Sequence, residues 1–180
     1  TKQSIQLMTK PETILVLDFG SQYSQLIARR IRECNVYSRI VPFRITAEEI
    51  RKEAPVGIIL SGGPASVYQD GAPHCDPAIL ELGLPILGIC YGMQLIVQTL
   101  GGKVARGKAR EYGKAEVETT DKCPLFAEIP GKTQVWMSHG DKVTEIPAGF
   151  KPFASTSNTE FAGIQNPERS IYGIQFHPEV

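Results

Sequence analysis

The chain has 180 residues, 42% of them hydrophobic and 21% charged, which is the balance of one globular domain and not of a disordered or coiled-coil segment. Nineteen Lys and Arg offset nineteen Asp and Glu, so no net basic field exists to hold nucleic acid or an anionic membrane. No apolar run approaches the ~20 residues of a membrane span, and residues 1–10 lack the hydrophobic segment of a secretory signal.

In chain order, residues 1–12 read as a polar leader and 13–180 as a single domain. The run Ile-Leu-Val-Leu at 14–17 predicts a strand buried on both faces, as in a parallel sheet. Helical spacing of Leu26, Ile27, Arg30 and Ile31 predicts a helix over 21–33. A short strand follows at 37–41, then a helix over 47–53 opened by Thr46 and Glu49 as a capping box. Residues 57–60 read as the next buried strand, and Ser-Gly-Gly-Pro at 61–64 turns the chain. Asp76-Pro77 opens another short helix. Residues 85–89 form a fourth strand that runs into Cys90 and a helix through Leu100, stopped by Gly101-Gly102. Beyond 103 the texture changes to short strands at 115–119, 134–138, 153–157, 161–165 and 171–176, with no helix. The expected fold is α/β and doubly wound: a mostly parallel central sheet, helices on both faces, and antiparallel edge strands from the C-terminal half.

Three short motifs lead nowhere. Asp18-Phe19-Gly20 spells a kinase tripeptide in a chain too short for that fold. Residues 102–108 fit the start of a phosphate loop, but Ala109 stands where a Mg²⁺-binding hydroxyl belongs and no helix follows. Residues 61–66 resemble a pyrophosphatase loop without its aspartate. The four cysteines, Cys34, Cys75, Cys90 and Cys123, show neither C-x-x-C nor zinc spacing. Reduced thiols, a cytoplasmic setting and no metal site are therefore expected.

Cys90 differs from the other three. Gly88-Ile89-Cys90-Tyr91-Gly92 is G-x-C-x-G, the cysteine form of a nucleophile elbow, set between an apolar strand and a helix. Such a turn projects the side chain at the C-terminal edge of the sheet, where open α/β sheets bind ligands. A helix N-terminus also favours a thiolate. Cys34, Cys75 and Cys123 lie in no such turn and read as small buried hydrophobes. A thiolate nucleophile needs a base, and His177-Pro178-Glu179 supplies one. In extended geometry residues i and i+2 face the same way, so Glu179 can orient His177 while the other ring nitrogen faces Cys90. Gly62-Gly63 at the neighbouring strand tip and the Tyr91 N–H are candidate oxyanion donors. His74 reads as solvated surface, whereas His139 sits in the crowded segment 136–141.

Taken together, these residues resemble the class I, triad-type glutamine amidotransferase family, over residues 14–179. Residues 14–30, 60–64, 88–94, 137–143 and 173–180 carry the match, and 18–23 with 138–143 point to its GMP synthetase branch. The resemblance implies that Cys90 attacks the side-chain amide of L-glutamine, with His177 and Glu179 moving protons and Gly63 and Tyr91 forming the oxyanion hole. It implies further that Gln94, Ser138, His139, Gly140 and Asp141 bind the substrate's α-amino and carboxylate groups. No cofactor is expected in this chain. ATP, Mg²⁺ and xanthosine monophosphate are expected in an ATP-pyrophosphatase domain or subunit that receives the ammonia, the complete enzyme being a homodimer. In that family further sequence follows the His-Pro-Glu strand, so a sequence stopping one residue past Glu179 reads as truncated or as a separate subunit. Another triad amidotransferase (for anthranilate, carbamoyl phosphate or cytidine triphosphate) is disfavoured by segment 137–143. A non-catalytic module on the same fold is disfavoured by the joint presence of Cys90, His177 and Glu179.

Overall fold

Strands and helices alternate through the first hundred residues of the computed structural model, which describes residues 10–180. Residues 1–9 of the expected leader lie outside the described residues. The elements are β1 (Thr13–Asp18), α1 (Ser24–Glu33), β2 (Tyr37–Pro42), α2 (Ala47–Glu53), β3 (Gly57–Leu60), β4 (Ile86–Ile89) and α3 (Tyr91–Thr99). Five strands follow: β5 (Lys103–Thr119), β6 (Lys132–Glu145), β7 (Lys151–Ser155), β8 (Gly163–Asn166) and β9 (Ile171–Ile174). All nine join one sheet in the order β2-β1-β3-β4-β9-β8-β7-β5-β6.

The apolar runs explain the layers. Leu15 and Leu17 of β1 pack with Ile58, with Ile50 of α2, and with Met93 and Leu95 of α3. Val16 points the other way and joins Ile27 of α1, Ile89, Phe153 and Ile174. A strand covered on both faces is apolar at every position, and the helices accordingly lie on both sides of the sheet. The capping box at α2 forms as expected, with Glu49 N–H donating to Thr46 Oγ1 at 3.2 Å and Thr46 N–H to Glu49 Oε2 at 2.8 Å.

Three expectations need correction. The 171–176 strand is not an antiparallel edge: β9 pairs parallel to β4 and antiparallel to β8, inside the sheet. Its Ile-Tyr-Gly-Ile run is apolar for the same reason as β1. Helix α1 begins at Ser24 rather than Ser21, because Asp18 Oδ1 accepts from Gly20 N–H at 2.9 Å and from Ser24 Oγ at 2.8 Å. That tie makes 20–23 a turn. The short helix expected after Asp76-Pro77 is present as a 3-10 helix over Pro77–Glu81. Finally, the strands at 115–119 and 134–138 are parts of a long ribbon, β5 paired with β6, whose register breaks between Arg106 and Glu111. One face of the ribbon meets solvent, so its pattern is mixed and its length is hidden. Residues 102–108 lie at the start of this ribbon.

The sheet places the turn at Cys90 through close approach. A Cβ on Gly92 would lie 2.3 Å from the Leu60 carbonyl oxygen, so only glycine lets the first turn of α3 sit on the end of β3. Gly92→Ala is expected to lower stability by about 2 kcal/mol through overpacking, read as a lower urea midpoint. An unchanged midpoint would show that the two elements can move apart.

Candidate active site

At Cys90 the chain leaves β4 with φ 51° and ψ −107° before entering α3. A non-glycine residue in that region is strained, and the surrounding bonds hold it there. Cys90 N–H donates to Ile174 O at 2.8 Å, and Gln94 N–H to Cys90 O at 3.1 Å. The first bond carries the parallel pairing of β4 and β9 one step past the strand ends, bringing Cys90 beside the segment that bears His177.

His177 and Glu179 are brought together, but not by extended geometry. Val180 N–H bonds His177 O at 3.4 Å, so Pro178 and Glu179 form a turn, and the carboxylate folds back onto the ring. His177 Nδ1 lies 2.8 Å from Glu179 Oε1, both side chains being buried. The backbone is pinned from two sides: His177 N–H donates to Trp136 O at 2.9 Å, and Arg30 Nε donates to Glu179 O at 3.1 Å. The Tyr23 ring meets the His177 ring edge-on at 5.5 Å. A Cβ on Gly62 would lie 3.0 Å from His177 Cε1 and 3.7 Å from Cys90 Cβ, so this glycine makes the room the pair occupies. Burial disfavours a charged His177, yet Cys90 and Glu179 together outweigh it and raise the pKa to about 9.

A cavity of about 400 Å³ opens over Cys90 and His177. Gly63, Tyr91, Gln94, Ser138, His139, Gly140 and Asp141 all border it, while Glu179 lies behind His177 and does not. Proximity to the cavity conceals different attachments. The Asp141 carboxylate accepts from Tyr68 OH at 2.7 Å and from Ser66 Oγ, tying β6 to the loop after β3. His139 has both ring nitrogens against acceptors: Nδ1 at 2.7 Å from Asp141 O and Nε2 at 2.8 Å from Glu111 Oε2. Gln94 Nε2 donates to Asp141 O and to Gln175 Oε1, both at 3.2 Å.

Several residues here lack a signal in the sequence motifs. Glu111, buried on β5, accepts from His139, from Thr159 Oγ1 at 2.6 Å and from Thr156 Oγ1 at 3.2 Å. Burial pushes its carboxyl up, but those hydrogen bonds prevail and hold it below the usual range. Tyr112 also borders the cavity, as do Ser21 and Tyr23, which belong to the 18–23 motif. Of the remaining cysteines, Cys123 is buried as expected, whereas Cys34 is exposed and Cys75 half-buried. His74 is exposed. Among the described residues no group of three or more His, Cys, Asp or Glu side chains is placed to hold a metal ion, and no helix is long and apolar enough to cross a membrane.

Comparison with known proteins identifies the family. The family model for glutamine amidotransferase class-I matches residues 15–180. A GMP synthase [glutamine-hydrolyzing] of Thermosynechococcus vestitus is 59% identical over 94% of this chain and 32% of its own length. One of Caldanaerobacter subterraneus is 60% identical over 95% of this chain and 33% of its own. The chain thus spans about a third of the length of the curated relatives it matches. Among solved structures, a protein of Thermoplasma acidophilum described as a GMP synthase subunit superimposes with a TM-score of 0.85 at 32% identity, covering 96% of this chain and 86% of that one. A family match over nearly every described residue, at this level of identity, means that the chain belongs to the class-I glutamine amidotransferase family.

Proposed function

We propose that this chain hydrolyses the side-chain amide of L-glutamine, supplying ammonia to a synthetase portion that aminates xanthosine monophosphate to guanosine monophosphate. The observation that carries the reading is the strained Cys90 beside a buried His177–Glu179 pair at the floor of one cavity. The identity to proteins named GMP synthase [glutamine-hydrolyzing] supports the branch. ATP and Mg²⁺ belong to the synthetase portion, and no step of the hydrolysis requires them.

The chemistry follows from the side chains. The Cys90 sulfur attacks the amide carbon, and the carbonyl electron pair moves onto oxygen. N–H groups of Gly63 and Tyr91 stabilise that oxyanion, each donor being worth about 3 kcal/mol in such sites. The His177 imidazolium, held by Glu179, gives its proton to the leaving nitrogen, and ammonia departs as the thioester forms. Neutral His177 then takes a proton from water, whose oxygen attacks the thioester. Glutamate leaves and the sulfur is regenerated. The wall residues would hold the substrate's zwitterionic end. Because both amide hydrogens of Gln94 are engaged, it offers the α-ammonium only its carbonyl oxygen. The Ser138–Asp141 segment contributes mainly main chain, since the side chains of His139 and Asp141 are tied to protein partners.

Glutamate release from glutamine tests the reading directly. Weak release is expected from this chain alone, rising when the synthetase portion, ATP and xanthosine monophosphate are added. Cys90→Ala is expected to reduce it at least about a thousandfold; retained hydrolysis would end the mechanism. Activation by the partner without xanthosine monophosphate dependence would move the chain to another amidotransferase.

A second test uses pH. The folded-state pKa of His177 is raised from the ordinary 6.5 to about 9. Its interactions therefore contribute stability in full below about pH 6.5, and that contribution is lost as pH rises through about 9. The urea-midpoint advantage of the parent chain over His177→Gln is expected to be largest near about pH 6 and to close by about pH 10. A gap independent of pH would contradict the ion-paired arrangement.

A further inference from the structure

Behind the sulfur, on the side away from the cavity, lies a buried amide that the hydrolytic steps above do not use. Gln175, fully buried just past β9, donates from Nε2 to Cys90 Sγ at 3.4 Å. Its backbone N–H is fixed to Ala162 O at 2.9 Å. Its Oε1 receives Nε2 of Gln94 at 3.2 Å, and the same Gln94 nitrogen donates to Asp141 O at 3.2 Å. The chain of bonds runs from the cavity wall through two amides to the sulfur.

Direction matters in this chain. A glutamine side chain can turn over and exchange its oxygen for its nitrogen, and against a sulfur the two ends act oppositely. An N–H stabilises negative charge there, whereas a carbonyl oxygen repels it. Gln94 offers only a donor to Gln175 Oε1, which holds Gln175 with its N–H toward Cys90. Ser138 O, at 3.6 Å, accepts from the thiol hydrogen and offers nothing once that proton has gone. A hydrogen bond to a charged acceptor is stronger than one to a neutral acceptor, and burial strengthens it further. The Gln175 contact therefore gains strength as the sulfur becomes anionic.

We propose that Gln175 is a catalytic residue that stabilises the anionic Cys90 sulfur from the buried side, and that Gln94 is a positioning residue that fixes the polarity of the Gln175 amide. The proposal rests on the reading of Cys90 as the nucleophile. It makes Gln94 a link between cavity and sulfur: a ligand that draws on the Gln94 amide alters the support behind the nucleophile.

The test is iodoacetamide alkylation of the 180-residue chain, followed by mass spectrometry to count modification at Cys90 apart from Cys34, Cys75 and Cys123. Gln175→Met keeps the volume and removes the donor. Alkylation of Cys90 near neutral pH is expected to slow about tenfold, the size of one lost hydrogen bond to a charged group, and its pH–rate profile to move to higher pH. Glutaminase kcat is expected to fall by a similar factor, with KM little changed. Gln94→Met keeps the donor but frees its direction, so Cys90 alkylation is expected to slow less, while KM rises. A folded Gln175→Met chain whose Cys90 is alkylated within about twofold of the parent rate overturns the proposal. If that variant does not fold, an unchanged Cys90 rate in Gln94→Met overturns it instead. Failure of the parent reading is separable, because it appears as glutamate release surviving Cys90→Ala, whatever the alkylation rates.

Discussion

Everything at the site depends on the chain turning at Cys90 with positive φ. An ordinary side chain there costs of order 1–3 kcal/mol, and the turn persists because its surroundings allow no alternative. Gly92 lets α3 press on the end of β3. The backbone of Cys90 is bonded forward into α3 and sideways to β9, and Ile89, Met93 and Leu95 beside it are buried. Burial of these apolar side chains, at roughly 1.5–3 kcal/mol each, offsets the strained residue comfortably. The strain is thus confined to one residue, whose side chain is the one aimed at the cavity.

Two buried histidine–carboxylate pairs flank that cavity, at nearly equal separations. His177–Glu179 and His139–Glu111 are each 2.8 Å apart. What separates their roles is the second ring nitrogen. In His139 it is occupied by Asp141 O, so the ring is a bracket that holds β6 against β5. In His177 the rest of the ring lies against Cys90, whose influence helps keep the imidazole charged. One pair braces the wall; the other faces the sulfur.

The core of this arrangement was legible in the sequence because its signals are local. The elbow spans five residues and His-Pro-Glu three, and the apolar runs of β1, β3 and β4 announce strands covered on both faces. The partners that lie far off were not legible. Glu111 meets His139 across 28 residues, Gln175 meets Cys90 across 85, and Arg30 reaches the Glu179 carbonyl across 149. Gln175 did carry a faint sign, as a polar residue inside the apolar run Ile171–Phe176. Glu111 carried none, since an acid beside Arg110 in a mixed-polarity strand reads as surface. The same logic explains β9: its composition matched the buried parallel strands, but its position among antiparallel neighbours suggested an edge.

The interior placement of β9 also sets the order in which the site can come into being. β4 carries the sulfur to the end of the strand, yet one of its two parallel neighbours comes from residues 171–174, after four intervening strands. Closing so long a loop is slow compared with forming local contacts. Until β9 docks, the elbow has no Ile174 carbonyl to hold it, no His177 beside it and no Gln175 behind it. The sulfur therefore gains these neighbours only with the pairing that completes the sheet.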